Sequence, residues 1–334
     1  MEGENFKDFL VCVVCYTYNQ VMYVKDTLDG IVKQQTNFPF LVILVDDAST
    51  DGQQCLISEY ISNHFNQFSV HQVDNQDAHI VFSQHKSNNN CYILSILLKY
   101  NHYSINKSKL EYYKDWITNC KYEASCEGDD YWIDSRKLQK QVNYMEEHSG
   151  CVLTCHRVHK YYQKEKKLVS NDGNDRYFLD NSGIKFTNEF NYKVLWMTQT
   201  LCTMYRMCFS KEFLEYPYEK TDGSRAYFYL KHGYGYCFNE YMAVYRVNDS
   251  GVWSRLTRRE QYYSNFTLYN NLCQYENNKL TRFLRDKGYL YLFRETKGGC
   301  IFEYGITFTQ LALILYSYML NFVTKIKRCI SNSF

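Results

Sequence analysis

Apolar runs of strand length alternate with helically spaced apolar positions at the start of the chain. FLVCVVCY is a continuous apolar run, and after TYNQ the positions Val24, Leu28 and Ile31 recur at helical intervals. FPFLVILVDDASTDG follows as an apolar strand ending in two aspartates and a turn-forming Ser-Thr-Asp-Gly, before the helical-looking QQCLISEYI. Strands that are apolar throughout and separated by helical patterns predict a parallel sheet covered on both faces. The first half therefore reads as a Rossmann-like unit, and the chain as α/β.

Further along, KYEASC reads as a short buried strand, and DSRKLQKQVNYMEEH places Leu138, Val142 and Met145 at helical spacing. The stretch from Gln84 to Asn119 is polar and Asn-rich; CYILSILLKY and LEYYKDWI within it are expected to be helices, and no chemistry is read there. GCVLTCHRV resumes a strand, KYYQKEKKLVSNDGNDR reads as a charged surface hairpin or loop, and LWMTQTLCTMYR as a buried segment. From about Arg255 onward the pattern turns helical and charged. In the tail, residues 306–323 carry no charge and TKIKR follows them. A membrane span needs about twenty mainly apolar residues, and this segment is just short, with Thr, Gln, Ser and Asn inside it. An amphipathic helix packed on the domain is one expectation. Peripheral membrane contact, with Lys325, Lys327 and Arg328 at anionic lipid, is the preferred one, and true spanning is the least favoured.

Composition narrows the function classes. A chain of 334 residues buries a sizeable core in one large domain or two small ones. A net charge of +2 provides no global basic field, so no nucleic-acid partner is expected. Fourteen cysteines behind an acidic N-terminus without a recognisable secretory signal point to a reducing compartment and to thiols used as core residues. The Cys12/Cys15 pair lies on a strand-like run that sends the two thiols to opposite faces, which argues against a structural zinc site.

Candidate chemistry gathers at strand ends. Neither GxGxxG nor GxxxxGK[ST] occurs, so the common dinucleotide and P-loop readings weaken. YTYN and VDDAST stand at the ends of the first two inferred strands and would share one crevice edge, where open α/β sheets bind ligands. CEGDDYW, from Cys126 to Trp132, packs three carboxylates into four positions at a strand-to-helix corner. Adjacent carboxylates repel, and a divalent cation relieves that repulsion. A solvated Gly-Asp-Asp turn is the plain alternative.

Taken in order, VVCYTYNQ…VKDTLDGIVKQQT…FLVILVDDASTDG, CEGDDYWIDSRKLQKQVNYMEEH and NEYMAVYRVNDSGVW resemble the inverting nucleotide-sugar glycosyltransferases of family 2, bacterial capsule and surface-polysaccharide enzymes especially. The resemblance covers roughly residues 8–255. It implies a GT-A fold: residues 1–150 the nucleotide-sugar half, 151–255 the acceptor half, and 256–334 a helical C-terminal extension. It implies further that Tyr16 and Tyr18 flank the base, that Asn19 shapes the same loop, and that Asp47, with Asp46 beside it, accepts from the base and ribose; capping and turn formation is the alternative for both aspartates. Glu127-Gly128-Asp129 stands where the family has its DxD motif, so Asp129 or Asp130 would hold Mg²⁺ or Mn²⁺ at the diphosphate, with Gly128 letting backbone come close and Trp132 packing beneath. Asp222, ahead of an aromatic-rich stretch leading to Gly233, would be the general base, against a Thr-Asp-Gly cap; Gly223 stands where an aromatic is usual. Asn248 replaces a common His, and phosphate contact is then expected from Arg246 or Arg255. His156 is read as structural.

The expected function is metal-dependent transfer of a sugar from a nucleotide donor, UDP-sugar by preference, to a growing surface or lipid-linked glycan, at the cytoplasmic face of the plasma membrane. A catalytically silent glycan- or nucleotide-binding relative is the alternative from another class. A nucleotidyltransferase is disfavoured, because CYTYNQVMYVK lacks a Gly-rich basic loop.

Overall fold

The computed structural model describes residues 8–319 apart from 171–172, 179–181, 218–219, 249–250, 252 and 317. The chain divides into two compact units, 1–215 with 225–248 and 216–224 with 249–334.

The first unit is built on one sheet. Its strands are β1 Val11–Thr17, β2 Phe40–Asp46, β3 Phe65–Asp74, β4 Ala78–His85, β5 Cys91–Leu98, β6 Tyr122–Ser125, β7 Tyr131–Trp132, β8 Cys151–Tyr162, β9 Lys167–Val169, β10 Gly183–Phe186, β11 Met204–Arg206 and β12 Tyr234–Val247. They order as β10-β12-β8-β11-β6-β1-β2-β5-β4-β3, with β7 on β12 and β9 on β8. Helices α1 Val24–Val32, α2 Gln53–His64, α3 Lys114–Ile117, α4 Lys137–Glu147 and α5 Ser210–Glu215 belong to this unit, and α6 Asp222–Tyr229 begins in the second unit and ends in the first. The first two apolar runs read as strands form the sheet centre together with β5, where Val14, Ile43, Val45, Leu94 and Ile96 pack together with Tyr113. Burying each Leu- or Ile-sized side chain contributes about 1.5–3 kcal/mol.

Strand direction decides where function can sit. β1 pairs in parallel with β2 and β6, and β2 with β5. β11 is antiparallel to both β6 and β8, and β12 is parallel to β8. The carboxyl ends of β1, β2, β5, β6, β8 and β12 therefore point to the same side of the sheet, so Tyr18, Asp47, the segment after Leu98, the acidic turn after Ser125 and Asn248 all emerge there.

Two expectations change. CYILSILLKY is β5, not a helix; all eight strand residues are buried between β2 and β4. A continuous apolar run of that length has no period to separate strand from helix, and sandwiching between two strands selects strand. LEYYKDWI breaks into a 3₁₀ turn, Leu110–Tyr112, and the four-residue α3. The charged KYYQKEKKLV stretch forms the β8–β9 hairpin. Every described cysteine is a free thiol, and all but Cys55 and Cys208 are buried.

In the second unit α7 Arg258–Tyr275 and α8 Lys279–Glu295 start from reciprocal caps, Thr257 with Glu260 and Asn278 with Thr281, each satisfying two backbone donors at a helix start. Gly288 faces α7 so closely that an added Cβ would lie 3.2 Å from Phe266 Cα. Phe266, Tyr289, Leu292, Cys300 and Ile314 form the core of this unit. After the short α9 Ile301–Tyr304, residues 308–316 are helical, started by a mutual Thr307–Gln310 cap. No helix among the described residues is long and apolar enough to cross a membrane.

Candidate active site

The acidic turn is fixed before any ligand is considered. Gly128 N–H donates to the Tyr16 carbonyl at 3.1 Å, and Thr27 Oγ1 on α1 donates to the carbonyls of Asp130 at 2.6 Å and Gly128 at 3.0 Å. A Cβ at position 128 would run into Thr17 Oγ1 and Gln20 Oε1, so the close approach requires glycine. Trp132 is buried beneath, its indole N–H on the Leu201 carbonyl at 2.9 Å.

The two aspartates of this turn differ. Asp130 is 1% exposed and its Oδ1 accepts the Arg246 backbone N–H at 2.7 Å. Burial, with Glu127 and Asp129 beside it, pushes its carboxyl well above the usual range. Asp129 and Glu127 are half-buried. Asp129 Oδ2 accepts from Asn248 Nδ2 at 2.9 Å, so the residue at the expected His position orients the carboxylate by an amide hydrogen bond. Arg246 does not present itself as a phosphate ligand: Nε donates to the Asp129 carbonyl at 2.8 Å, Nη1 to Gln163 Oε1 at 3.0 Å and Nη2 to Asp26 Oδ2 at 2.8 Å. It braces the turn from behind. Arg255 belongs to the second unit and is exposed.

At the ends of β1 and β2, Tyr16 and Tyr18 expose their rings, at 41% and 47%. Asn19, in the left-handed region with φ of 52°, donates its N–H to Ser49 Oγ and accepts from Thr50 N–H at 2.8 Å, tying the YTYN loop to the DDAST loop. Asp46 is fully buried and accepts from Ser49 N–H and Oγ and from the Gln53 and Gln54 amides, the turn-forming role. Asp47 is 4% exposed; its carboxylate accepts from His102 N–H at 2.7 Å and Tyr103 N–H at 3.1 Å and pairs with Lys109 Nζ at 2.8 Å. Tyr113 OH meets Tyr16 OH. The stretch read as free of chemistry thus supplies the groups that surround Asp47. Nothing in its local pattern signals this, because the partners are set by loop closure after β5.

Asp222 belongs to the second unit, where it is exposed at the start of α6. The cap there is made by Thr221 and Ser224, Thr221 Oγ1 accepting from Ser224 N–H at 3.1 Å and Ser224 Oγ from Thr221 N–H at 2.9 Å. His156 is buried in β8 with Nδ1 on the Arg157 carbonyl at 2.9 Å, consistent with a structural residue.

Residues 12–82 match the family model described as glycosyl transferase family 2. Uncharacterized proteins of Mycobacterium tuberculosis strain H37Rv and Mycobacterium bovis are 31% identical over 157 residues, 46% of this chain and 37% of theirs. The chain thus spans well under half the length of these curated relatives. Among solved structures, a mannosyltransferase of Pyrobaculum calidifontis in complex with GDP-Man and Mn²⁺ superposes with a TM-score of 0.53 at 12% identity, over 94% of this chain and 81% of that one. S. aureus TarS 1-349 in complex with UDP-GlcNAc does so with 0.52 at 12%, over 92% and 78%. At such identity the likeness concerns the fold alone, a mixed α/β sheet with helices that is structurally similar to the GT-A glycosyltransferases.

The oxygen donors of the acidic turn are of the chemical kind that a hard divalent cation takes. No group of three or more His, Cys, Asp or Glu able to hold a metal is found among the described residues. Mg²⁺ and its like are nevertheless held by one or two carboxylates together with substrate phosphates. Half-buried Asp129 and Glu127 on one braced turn are the carboxylates that could take this part, whereas Asp130 is buried and turned onto backbone.

Proposed function

We propose that the protein is a metal-dependent inverting glycosyltransferase that moves a sugar from a nucleoside-diphosphate donor, UDP-linked by preference, to a surface or lipid-linked glycan. The observation that supports this most is the braced Glu127–Asp130 turn on the same sheet side as Tyr16, Tyr18, Asn19 and Asp47. In this reading residues 1–150 hold the donor, 151–255 the acceptor, and 256–334 form the extension. Asp129 would hold Mg²⁺ or Mn²⁺ with help from Glu127, the ion offsetting charge on the departing diphosphate.

The chain's own residues divide the rest of the work. The YTYN and DDAST loops, tied by Asn19, position the nucleoside. Asn248 keeps Asp129 oriented, and Arg246 balances the carboxylates from behind. Asp222 accepts the proton of the acceptor hydroxyl as that oxygen bonds to the anomeric carbon and the carbon–oxygen bond to the diphosphate breaks, which inverts the centre.

The same reading places the enzyme against the inner face of the plasma membrane. Helix 308–316 packs Gln310 and Ile314 inward and exposes Phe308, Leu311, Leu315 and Tyr316. This reverses the usual polar-out helix and leaves an apolar face of the kind that lies in a lipid interface. Residues 320–323 of the tail, with Lys325, Lys327 and Arg328, fall outside the described residues.

The test is release of nucleoside diphosphate from a panel of UDP- and GDP-sugars, with Mn²⁺ or with EDTA. Metal-dependent release supports the enzyme; tight binding without release under any acceptor supports the silent binder instead.

A further inference from the structure

The β8–β9 hairpin leaves the sheet on the side where the acidic turn lies, and residues 160–167, KYYQKEKK, set four lysines against one glutamate. Lys164, Lys166 and Lys167 are exposed and Lys160 is partly so. Among the described residues none of the four is held in an ion pair. The whole chain carries a net charge of only +2, so the hairpin is a local concentration of positive charge, not a sample of a generally basic surface.

The hairpin is fastened to the site. Gln163 N–H donates to the Val247 carbonyl at 3.0 Å, and Gln163 Oε1 accepts from Nη1 of Arg246, the arginine that braces the acidic turn, at 3.0 Å. Asn248, one residue beyond Val247, holds Asp129. Residues opposite one another in an antiparallel pair share a face. Tyr162 therefore stands beside Lys167 and on the same face as Lys160, while Tyr161 turns to the other face, its ring centre 5.8 Å from Arg246 Cζ. The first face sets a partly buried aromatic ring between two lysines.

We propose that the hairpin receives the acceptor, and that this acceptor is an anionic glycan with carboxylate or phosphate groups along its length. Glu127 and Asp129 repel such a chain, and the lysines offset that repulsion beside the turn; a neutral acceptor has no use for them. Tyr162 offers its ring to the apolar face of a sugar. The inference rests on the transferase reading above, in which residues 151–255 hold the acceptor. Anionic lipid presents the same charge, but the turn residues 163–166 are Gln, Lys, Glu and Lys, with no apolar side chain to enter a lipid interface.

Calorimetry of the full chain with oligogalacturonate, poly(glycerol phosphate) and a neutral maltodextrin of matched length decides it, with flotation on phosphatidylglycerol vesicles alongside. The wild type is expected to bind one or both anionic probes at least about tenfold more tightly than the neutral one at low salt, since several exposed ion pairs act together. Most of that preference should vanish as salt shortens the Debye length from about 30 to about 8 Å. Lys164→Gln/Lys166→Gly/Lys167→Gln should bring the probes within about threefold of one another. Lys166 has φ of 49°, strained for a residue with a Cβ and relaxed for glycine, so this variant should melt no lower than wild type. Should it not melt cooperatively, Lys164→Gln/Lys167→Gln takes its place. Arginine at the same three positions should keep the preference, and Mn²⁺-dependent binding of UDP or GDP should be the same in every variant. Equal binding of anionic and neutral probes by the wild type, an unchanged preference in the folded variant, or lysine-dependent binding confined to the vesicles overturns the proposal. Failure of the wild type to bind any nucleoside diphosphate overturns instead the transferase reading on which it stands.

Discussion

Asn248 Nδ2 lies 2.9 Å from Asp129 Oδ2, joining the end of β12 to the acidic turn after β6. The amide brings a donor but no charge, so it orients the carboxylate without neutralising it. Residues that orient a metal ligand typically change metal affinity by 10–100-fold when lost. Asn248→Ala should therefore raise the Kd for Mn²⁺-nucleotide by roughly 10–100-fold. It should lower stability by only about 1 kcal/mol, the value of one hydrogen bond. Titration calorimetry beside a denaturant melt measures both; equal nucleotide affinity would separate Asn248 from the site.

Asp222→Asn isolates proton transfer. The amide keeps the size of the carboxylate but cannot take the acceptor's proton, so donor and metal binding should persist while transfer falls by roughly 10²–10⁴-fold. Transfer rates with a competent acceptor decide; a rate within threefold of wild type would move the base elsewhere, with Glu219 and Asp249, both outside the described residues, the next to substitute.

Lys137 offers a pH test of the fold. It is fully buried, with Nζ 2.8 Å from Gln141 Oε1 and 4.0 Å from the Trp132 ring centre, and burial lowers its pKa to about 8. Between about pH 8 and the ordinary lysine value near 10.4 the unfolded chain binds the proton that the folded one has lost, so this group's contribution to stability rises with pH there. Wild type should gain stability relative to Lys137→Met on going from pH 7 to pH 10. Thermal melts at matched ionic strength report it; a pH-independent difference would contradict the buried, depressed lysine.

Much of this was legible in sequence because it is local. Leu138, Val142 and Met145 are spaced for α4 and all three are buried. The run after Phe9 became β1, since an unbroken apolar stretch ending at Thr17 has little use except in a covered sheet. β5 was misread because its period was missing. The Asp47–Lys109 and Asp129–Asn248 pairs were hidden for another reason: each joins residues far apart in sequence, whose meeting depends on strand order and loop closure rather than on any local pattern.

The exposed helix face yields a prediction that spares the core. Leu311 and Leu315 point outward while Ile314 packs on the helical core, so Leu311→Glu with Leu315→Glu should leave the melt unchanged. Placing two charges in the interface should reduce flotation with phosphatidylglycerol vesicles by at least about tenfold. Undiminished flotation would return the helix to a role away from lipid.

The central claim is that the Glu127–Asp130 turn receives the donor's diphosphate together with a divalent ion. Calorimetry of wild type and Asp129→Ala with UDP and GDP, each with Mn²⁺ and with EDTA, tests it most directly. The account predicts binding that requires Mn²⁺ and is lost in Asp129→Ala, with a melt that stays cooperative and is lowered by no more than about 1 kcal/mol, the value of the lost Asn248 hydrogen bond, because the removed anion leaves the diphosphate facing the remaining carboxylates. Nucleotide affinity that is the same in EDTA, or the same in the folded variant, would contradict it.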